Sequence, residues 1–214
     1  MCRLRAASLI LISIFVFLGC SPTRNLEKIK TGNGYTSPPE AVIGKDFNTL
    51  LYKADIELLG NFYSGLFFIK YDTLQNAHFI VAMSEIGLSF LDMTFINDEM
   101  KINNIQPFLD RRSVKKNLKN SFKMLLKDVG VIEVASLYKE KDNGIKVFKI
   151  KDKSNRYYYF CNKHNKTEKI IKRRFWRNRQ SILISYNSKQ YPQSIVLLNE
   201  GINFSMELTL LKAN

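Results

Sequence analysis

Histidine is nearly missing from this chain of 214 residues, and so is every motif that would put a metal or a nucleophile to work. His78 and His164 are the only two, and neither has Cys, His or carboxylate neighbours at a metal-ligand spacing. No Gly-x-Ser-x-Gly elbow, P-loop, Gly-x-Gly-x-x-Gly or His-Glu-x-x-His occurs. Acids stand singly among lysines. The expectation is no enzyme, no metal and no cofactor. His78 reads as a half-buried strand residue, and His164 as a solvated residue of the basic hairpin Asn162 to Lys166.

Cysteine is scarce too, with Cys2, Cys20 and Cys161 only. Long apolar runs are missing: Ala6 to Leu18 spans 13 residues, where a membrane-spanning helix needs roughly 20. Arg3 and Arg5 precede that run, Gly19-Cys20 ends it, and Ser21-Pro22-Thr23 breaks any continuation. This is the layout of a signal peptide. The ending Phe17-Leu18-Gly19-Cys20 resembles the lipobox of bacterial lipoproteins. That resemblance implies cleavage before Cys20, acyl chains on its thiol and amine, and a membrane anchor. The reading is a leader over 1–19, a lipidated tether over 20–45 and one folded domain over 46–214. Cys161 is then the one unmodified thiol, which excludes an intramolecular disulfide framework. Set beside Tyr157 to Phe160, it reads as a small packed hydrophobe.

Acidic residues are the third shortage: 19 against 33 Lys and Arg, for a net charge of +14. Removing Arg3 and Arg5 with the leader leaves +12. Such a balance favours lipid headgroups, acidic proteins or nucleic acid. An exported, tethered chain seldom meets nucleic acid, so no nucleic-acid partner is expected. The charge is densest from Lys163 to Arg179, where Glu168 is the only acid. Lys172, Arg173, Arg174, Trp176 and Arg177 are the candidate contact with an anionic surface, because cations attract headgroups and aromatic rings settle at the interface. The plainer alternative is a solvated hairpin whose charges keep a sheet edge from pairing.

What the chain does have is alternation. Asp46 to Leu51 reads as a short helix capped by Asp46. Strands are expected at Tyr52 to Leu58, Tyr63 to Tyr71, His78 to Ser84, Leu88 to Ile96 and Met100 to Ile105, joined by tight turns into an antiparallel meander. The third and fourth are apolar on both faces, so something must cover the second face. Val114, Leu118, Phe122, Leu125 and Val129 then step by four, four, three and four, the stripe of an amphipathic helix over Ser113 to Val129. Asp110 or Ser113 is its expected cap and Gly130 its stop. Six or seven more strands follow to the end.

Three stretches resemble the LolA/LolB superfamily of lipoprotein carriers and receptors, and LolB-like outer-membrane lipoproteins in particular. They are Phe67 to Tyr71 with Phe79 to Gly87, the helix after the fifth strand, and the closing hairpin Tyr191 to Leu198 with Phe204 to Leu211. The resemblance implies a mainly β fold with few helices: an unclosed antiparallel half-barrel of about eleven strands under a helical lid. It implies an acyl-chain cavity, for which Phe67, Phe79, Met83, Phe90, Met93, Phe95, Phe122 and Leu125 are the candidate lining. It also implies a membrane-insertion loop at Ile86, Gly87 and Leu88, here with Glu85 where the family usually has Pro. The expected protein is a monomer on the periplasmic face of the outer membrane. It binds acyl chains or lipoproteins and assists their delivery to that membrane. The alternative is a non-enzymatic interaction module of the envelope whose core is filled.

Overall fold

The computed structural model describes residues 26–29, 38–129, 134–140, 144–175 and 177–214. The leader, Cys20, Gly130 and Trp176 lie outside them.

Alternation becomes strand wherever the sequence has it. β1 (Glu27–Ile29), β2 (Thr49–Leu58), β3 (Asn61–Asp72), β4 (Ala77–Met83), β5 (Ser89–Ile96) and β6 (Glu99–Ile105) precede the helix α1 (Arg112–Leu126). After it come β7 (Val134–Lys139), β8 (Lys146–Asp152), β9 (Asn155–Cys161), β10 (Thr167–Arg174), β11 (Arg177–Tyr186), β12 (Pro192–Asn199) and β13 (Phe204–Ala213). Among the described residues every pairing is antiparallel, in a single 13-stranded sheet running β1-β7-β8-β9-β10-β11-β12-β13-β2-β3-β4-β5-β6. Its two edges, β1 and β6, do not meet, so the half-barrel is unclosed.

One apolar cluster holds the molecule together. It joins Met93 and Phe95 of β5 to Phe148 and Ile150 of β8, which lie far apart in strand order, through Leu118, Phe122 and Leu125 of α1. A flat sheet could not bring both regions to one helix, so the sheet curls around α1. At the centre the Phe122 ring stacks on Phe67, centroids 5.8 Å apart and 10° from parallel. Both rings are buried.

Four expectations change. The short helix at Asp46 is absent: a turn precedes β2, whose residues Leu50 and Leu51 pair with Ala213 and Lys212. Neither expected cap is used. Arg111 occupies the N-cap without a side-chain bond, and Asp110 is engaged by Lys115. The packed body also takes in part of the supposed tether. Glu27–Ile29 pairs with β7, and Val42 and Ile43 are core residues. The Ile43 N–H donates to the Leu125 carbonyl over 3.0 Å, satisfying one of the carbonyls a helix C-terminus leaves open. Finally, His78 is fully buried, between Tyr71 and Phe95.

Truncating Phe122 to Ala should cost about 3–5 kcal/mol, since a buried ring leaves a cavity in a packed centre. Leu74→Ala, at a position 96% exposed, should stay within about 0.5 kcal/mol. Urea unfolding of the two variants checks the contrast. Equal, small effects would mean that α1 is not anchored through Phe122.

Candidate functional site

Strand parity decides which of the expected cavity residues face inward. On β4 the inner face carries His78, Ile80 and Ala82, whose register partners Phe95, Met93 and Leu91 are also buried. Phe79 and Met83 therefore lie half-buried on the outer face, and expecting them in the cavity was an error of one residue in phase. Phe67, Met93, Phe95, Phe122 and Leu125 do face inward, but they are buried in the packed core. The middle of the trough is filled.

Phe90 is different, and a bulge is the reason. Ala82 pairs with Leu91 but Met83 pairs with Ser89, so Phe90 is the extra residue in β5. The added residue resets the phase and turns Phe90 inward beside Leu91. Its ring needs the space a side chain would take at position 65. A Cβ on Gly65 would stand 3.2 Å from the Phe90 ring and 2.5 Å from the Met83 carbonyl oxygen.

Phe90 lines a cavity of about 430 Å³ at this end of the trough, together with Ile56, Tyr63, Phe108 and Leu109. Phe108 stacks on Tyr63 with centroids 5.1 Å apart. The rim is the loop expected to insert into membranes. Ile86 is 83% exposed, Leu88 66% and Phe108 41%. The loop is a tight turn in which the Ser84 N–H donates to the Leu88 carbonyl (2.9 Å) and the Gly87 N–H to the Ser84 carbonyl (2.9 Å). Gly87 has φ +84°, a conformation that favours glycine. The turn holds two aliphatic side chains in water beside an apolar hollow.

The basic hairpin is only partly a surface. Arg174, Phe175 and Arg177 are exposed at its tip, and Arg173 is half-buried. Lys172 is 7% exposed and turns to the inner face, so it contacts no surface. Alternation explains it: Lys172 shares a register row with the buried Gln180 of β11 and with Tyr157 of β9. Its ammonium sits 5.7 Å from the Tyr157 ring centroid. Burial, and to a lesser extent Lys116, lower its pKa to about 8. Beneath α1, the Gln180 amide donates to Asn117 Oδ1 and to Ser121 Oγ (3.2 Å). Nothing in the residue pattern signals this polar layer, because Asn117 and Ser121 interrupt the apolar stripe without breaking its period.

A second cavity, about 470 Å³, opens between the C-terminal half of α1 and β8–β9. A third hollow, about 600 Å³, runs along β6 and is lined by Arg112, Lys115, Lys116 and Lys119 with no acid among its lining residues. Among the described residues, no cluster of His, Cys, Asp or Glu could hold a metal ion. No helix among them is long and apolar enough to cross a membrane. Cys161 is fully buried, and burial pushes its thiol up to about 11. His164 is exposed.

The architecture expected from the LolA/LolB resemblance, an unclosed antiparallel sheet with a helix on its concave side, is the one observed. No family model and no curated protein matches the chain. Three solved structures share its outline. A domain described as an outer membrane lipoprotein-sorting protein, from Vibrio parahaemolyticus, is 13% identical, with a TM-score of 0.47 over 78% of this chain and 85% of its own. A DUF1329 family protein from Desulfovibrio piger is 10% identical, with a TM-score of 0.43 over 78% and 85%. The lipoprotein LppX of Mycobacterium tuberculosis is 13% identical, with a TM-score of 0.28 over 79% and 88%. At these scores the likeness is loose and says nothing of ligand or activity.

Lys172 makes a testable statement about stability. Its pKa falls from 10.5 unfolded to about 8 folded. Between those values the unfolded chain binds more protons, so this residue's penalty shrinks as pH rises through the window. Lys172→Met should be more stable than the wild type at pH 7 by about 1–3 kcal/mol, and the gain should fade towards pH 10. Urea unfolding of both chains at the two pH values measures it. A difference that ignores pH would rule out the buried ammonium as its source.

Proposed function

We propose that this protein is a non-catalytic lipoprotein of the periplasmic face of the outer membrane, anchored through Cys20. In this reading it binds acyl chains or lipoproteins and helps deliver them to that membrane. The observation that carries the reading is the apolar cavity under Phe90 with Ile86 and Leu88 standing exposed on its rim. Water beside large aliphatic side chains is costly, at about 25 cal/mol per Å² of apolar surface. Exposed apolar residues at the mouth of an apolar hollow mark a binding site more often than they mark chance. An acyl chain entering there meets Tyr63, Phe90 and Phe108, and each buried CH₂ contributes about 0.8 kcal/mol. Ile86 and Leu88 are placed to touch a bilayer while the cavity behind them holds or releases a chain.

The filled centre of the trough favours a second reading. With Phe67 against Phe122, the space that would hold a whole acyl chain in an open half-barrel is occupied by protein. On that reading the rim is a docking face for another envelope protein and no lipid enters.

Ile86→Glu combined with Leu88→Glu separates the two. The pair is exposed, so stability should stay within about 0.5 kcal/mol per site. Uptake of an environment-sensitive fluorescent fatty acid should weaken on the order of tenfold or more, the equivalent of about 1.4 kcal/mol. Lipoprotein transfer to outer-membrane vesicles should fall with it. A wild-type chain that leaves the probe in water, or a double variant that binds and transfers normally, would defeat the acyl-binding reading.

A further inference from the structure

The polar layer beneath α1 leaves donors over once its acceptors are used. Lys172, Gln180 and Asn117 are each buried by more than nine-tenths. Among the described residues no carboxylate is within ion-pair distance of Lys172; its ammonium faces the Tyr157 ring, and Asp152 acts on it from farther away. Gln180 spends its amide N–H on Asn117 and Ser121, and Asn117 is left with a buried Nδ2 that has no acceptor. Buried donors without acceptors cost about 1–3 kcal/mol each, more when charged. Two neighbouring groups, the Asn117 amide and the Lys172 ammonium, therefore ask for one thing, an electron-rich oxygen.

The cavity that shares Tyr157 with this layer has the matching form. Its floor is apolar, from Met124 of α1 with Ile150 and Tyr159 of the sheet. Tyr157, the ring under the Lys172 ammonium, lines it directly. Its rim carries Lys123, Lys127 and Lys151 against a single acid, Asp152, and Lys127 is committed to Asp98 over 3.1 Å. The helix above has five cations in 15 residues and no acid, including Arg112 and Lys115 at the end where the helix dipole disfavours cations. Lys115 is offset there by its ion pair with Asp110.

We infer that this cavity binds the anionic end of a single-chain acyl lipid, carboxylate or phosphate, with its head toward Lys172 and Lys123 and its first methylenes on Met124, Ile150 and Tyr159. The inference rests on the acyl-binding reading above and adds a second, chemically distinct cavity, separated from the Phe90 cavity by the packed centre around Phe67 and Phe122. The Phe90 cavity is mainly apolar; this one reads an anionic head. Lys172 supplies a buried charge that water does not screen, and Lys123 and Lys151 supply attraction at the mouth.

Photolabelling tests it on the full chain in the membranes of cells that produce it. Two probes carry a diazirine close to the head, palmitic acid and the matching palmityl alcohol, and labelled peptides are mapped by mass spectrometry. The acid is expected on peptides of α1 and β8–β9. The acid-to-alcohol labelling ratio there should be about tenfold higher in the wild type than in Lys123→Met/Lys172→Met, the worth of one charge-assisted hydrogen bond. Lys123→Met/Lys151→Met, at exposed positions, should lower the ratio without touching the core. Equal ratios in all three chains, or labelling confined to the Phe90 cavity, would overturn the anionic head site and leave acyl binding standing. No labelling by either probe would overturn both.

Discussion

Among the described residues, one helix has to cover the inner face of a 13-stranded sheet. Laid flat, strands about 4.8 Å apart would span roughly 58 Å, against a helix diameter of about 10 Å. The apolar residues on that face leave the sheet no choice but to curl until both wings reach α1. The Phe67–Phe122 stack marks where they do. The same mismatch explains the cavities. A helix of 15 residues is about 22 Å long, while strands of 10 to 12 residues run about 33–40 Å. The centre is packed dry, and the hollows open at the ends and along the sides that the helix does not reach.

The two end cavities differ because their walls come from different sequence. Towards β3 to β5 the inner residues are aromatic and aliphatic, and the β5 bulge adds Phe90. Towards β8 to β11 the inner face takes Tyr157, Lys172 and Gln180, and the helix meets them with Asn117 and Ser121. An apolar end and a donor-rich end in one trough give it a direction, which a uniformly greasy groove would lack.

Much of the architecture was legible in the residues. Alternation from Tyr52 to Leu58 and from Phe204 to Leu210 has period two, and these segments pair with each other in the sheet. The stripe Val114, Leu118, Phe122, Leu125 has the helical period and is buried throughout. The site was less legible. When both faces of β4 are apolar, sequence alone does not choose between them, and Phe79 and Met83 fell on the wrong side. Phe90 faces inward only through a bulge that alternation cannot reveal. Lys172 reads as one more cation in a basic run, whereas strand parity turns it from its neighbour Arg173 towards the inner face and Gln180. Short segments such as Glu27–Ile29 carry too little periodicity to be seen, and they form because an edge strand is there to pair with.

Energy sets which part of the trough a lipid would use. Lifting α1 would expose Val114, Leu118, Phe122, Met124, Leu125 and Leu126, at about 1.5–3 kcal/mol each, on the order of 10–15 kcal/mol together. One acyl chain of about 16 carbons returns about 13 kcal/mol if every CH₂ is buried. The two nearly cancel, so a single chain gains nothing by opening the centre and is better held in an end cavity with the helix in place. The balance tips only for a ligand that brings more than one chain to the same trough. The closed helix is thus both the keystone of the core and a threshold against single-chain lipids, and the end cavities are where such a lipid can bind without crossing it.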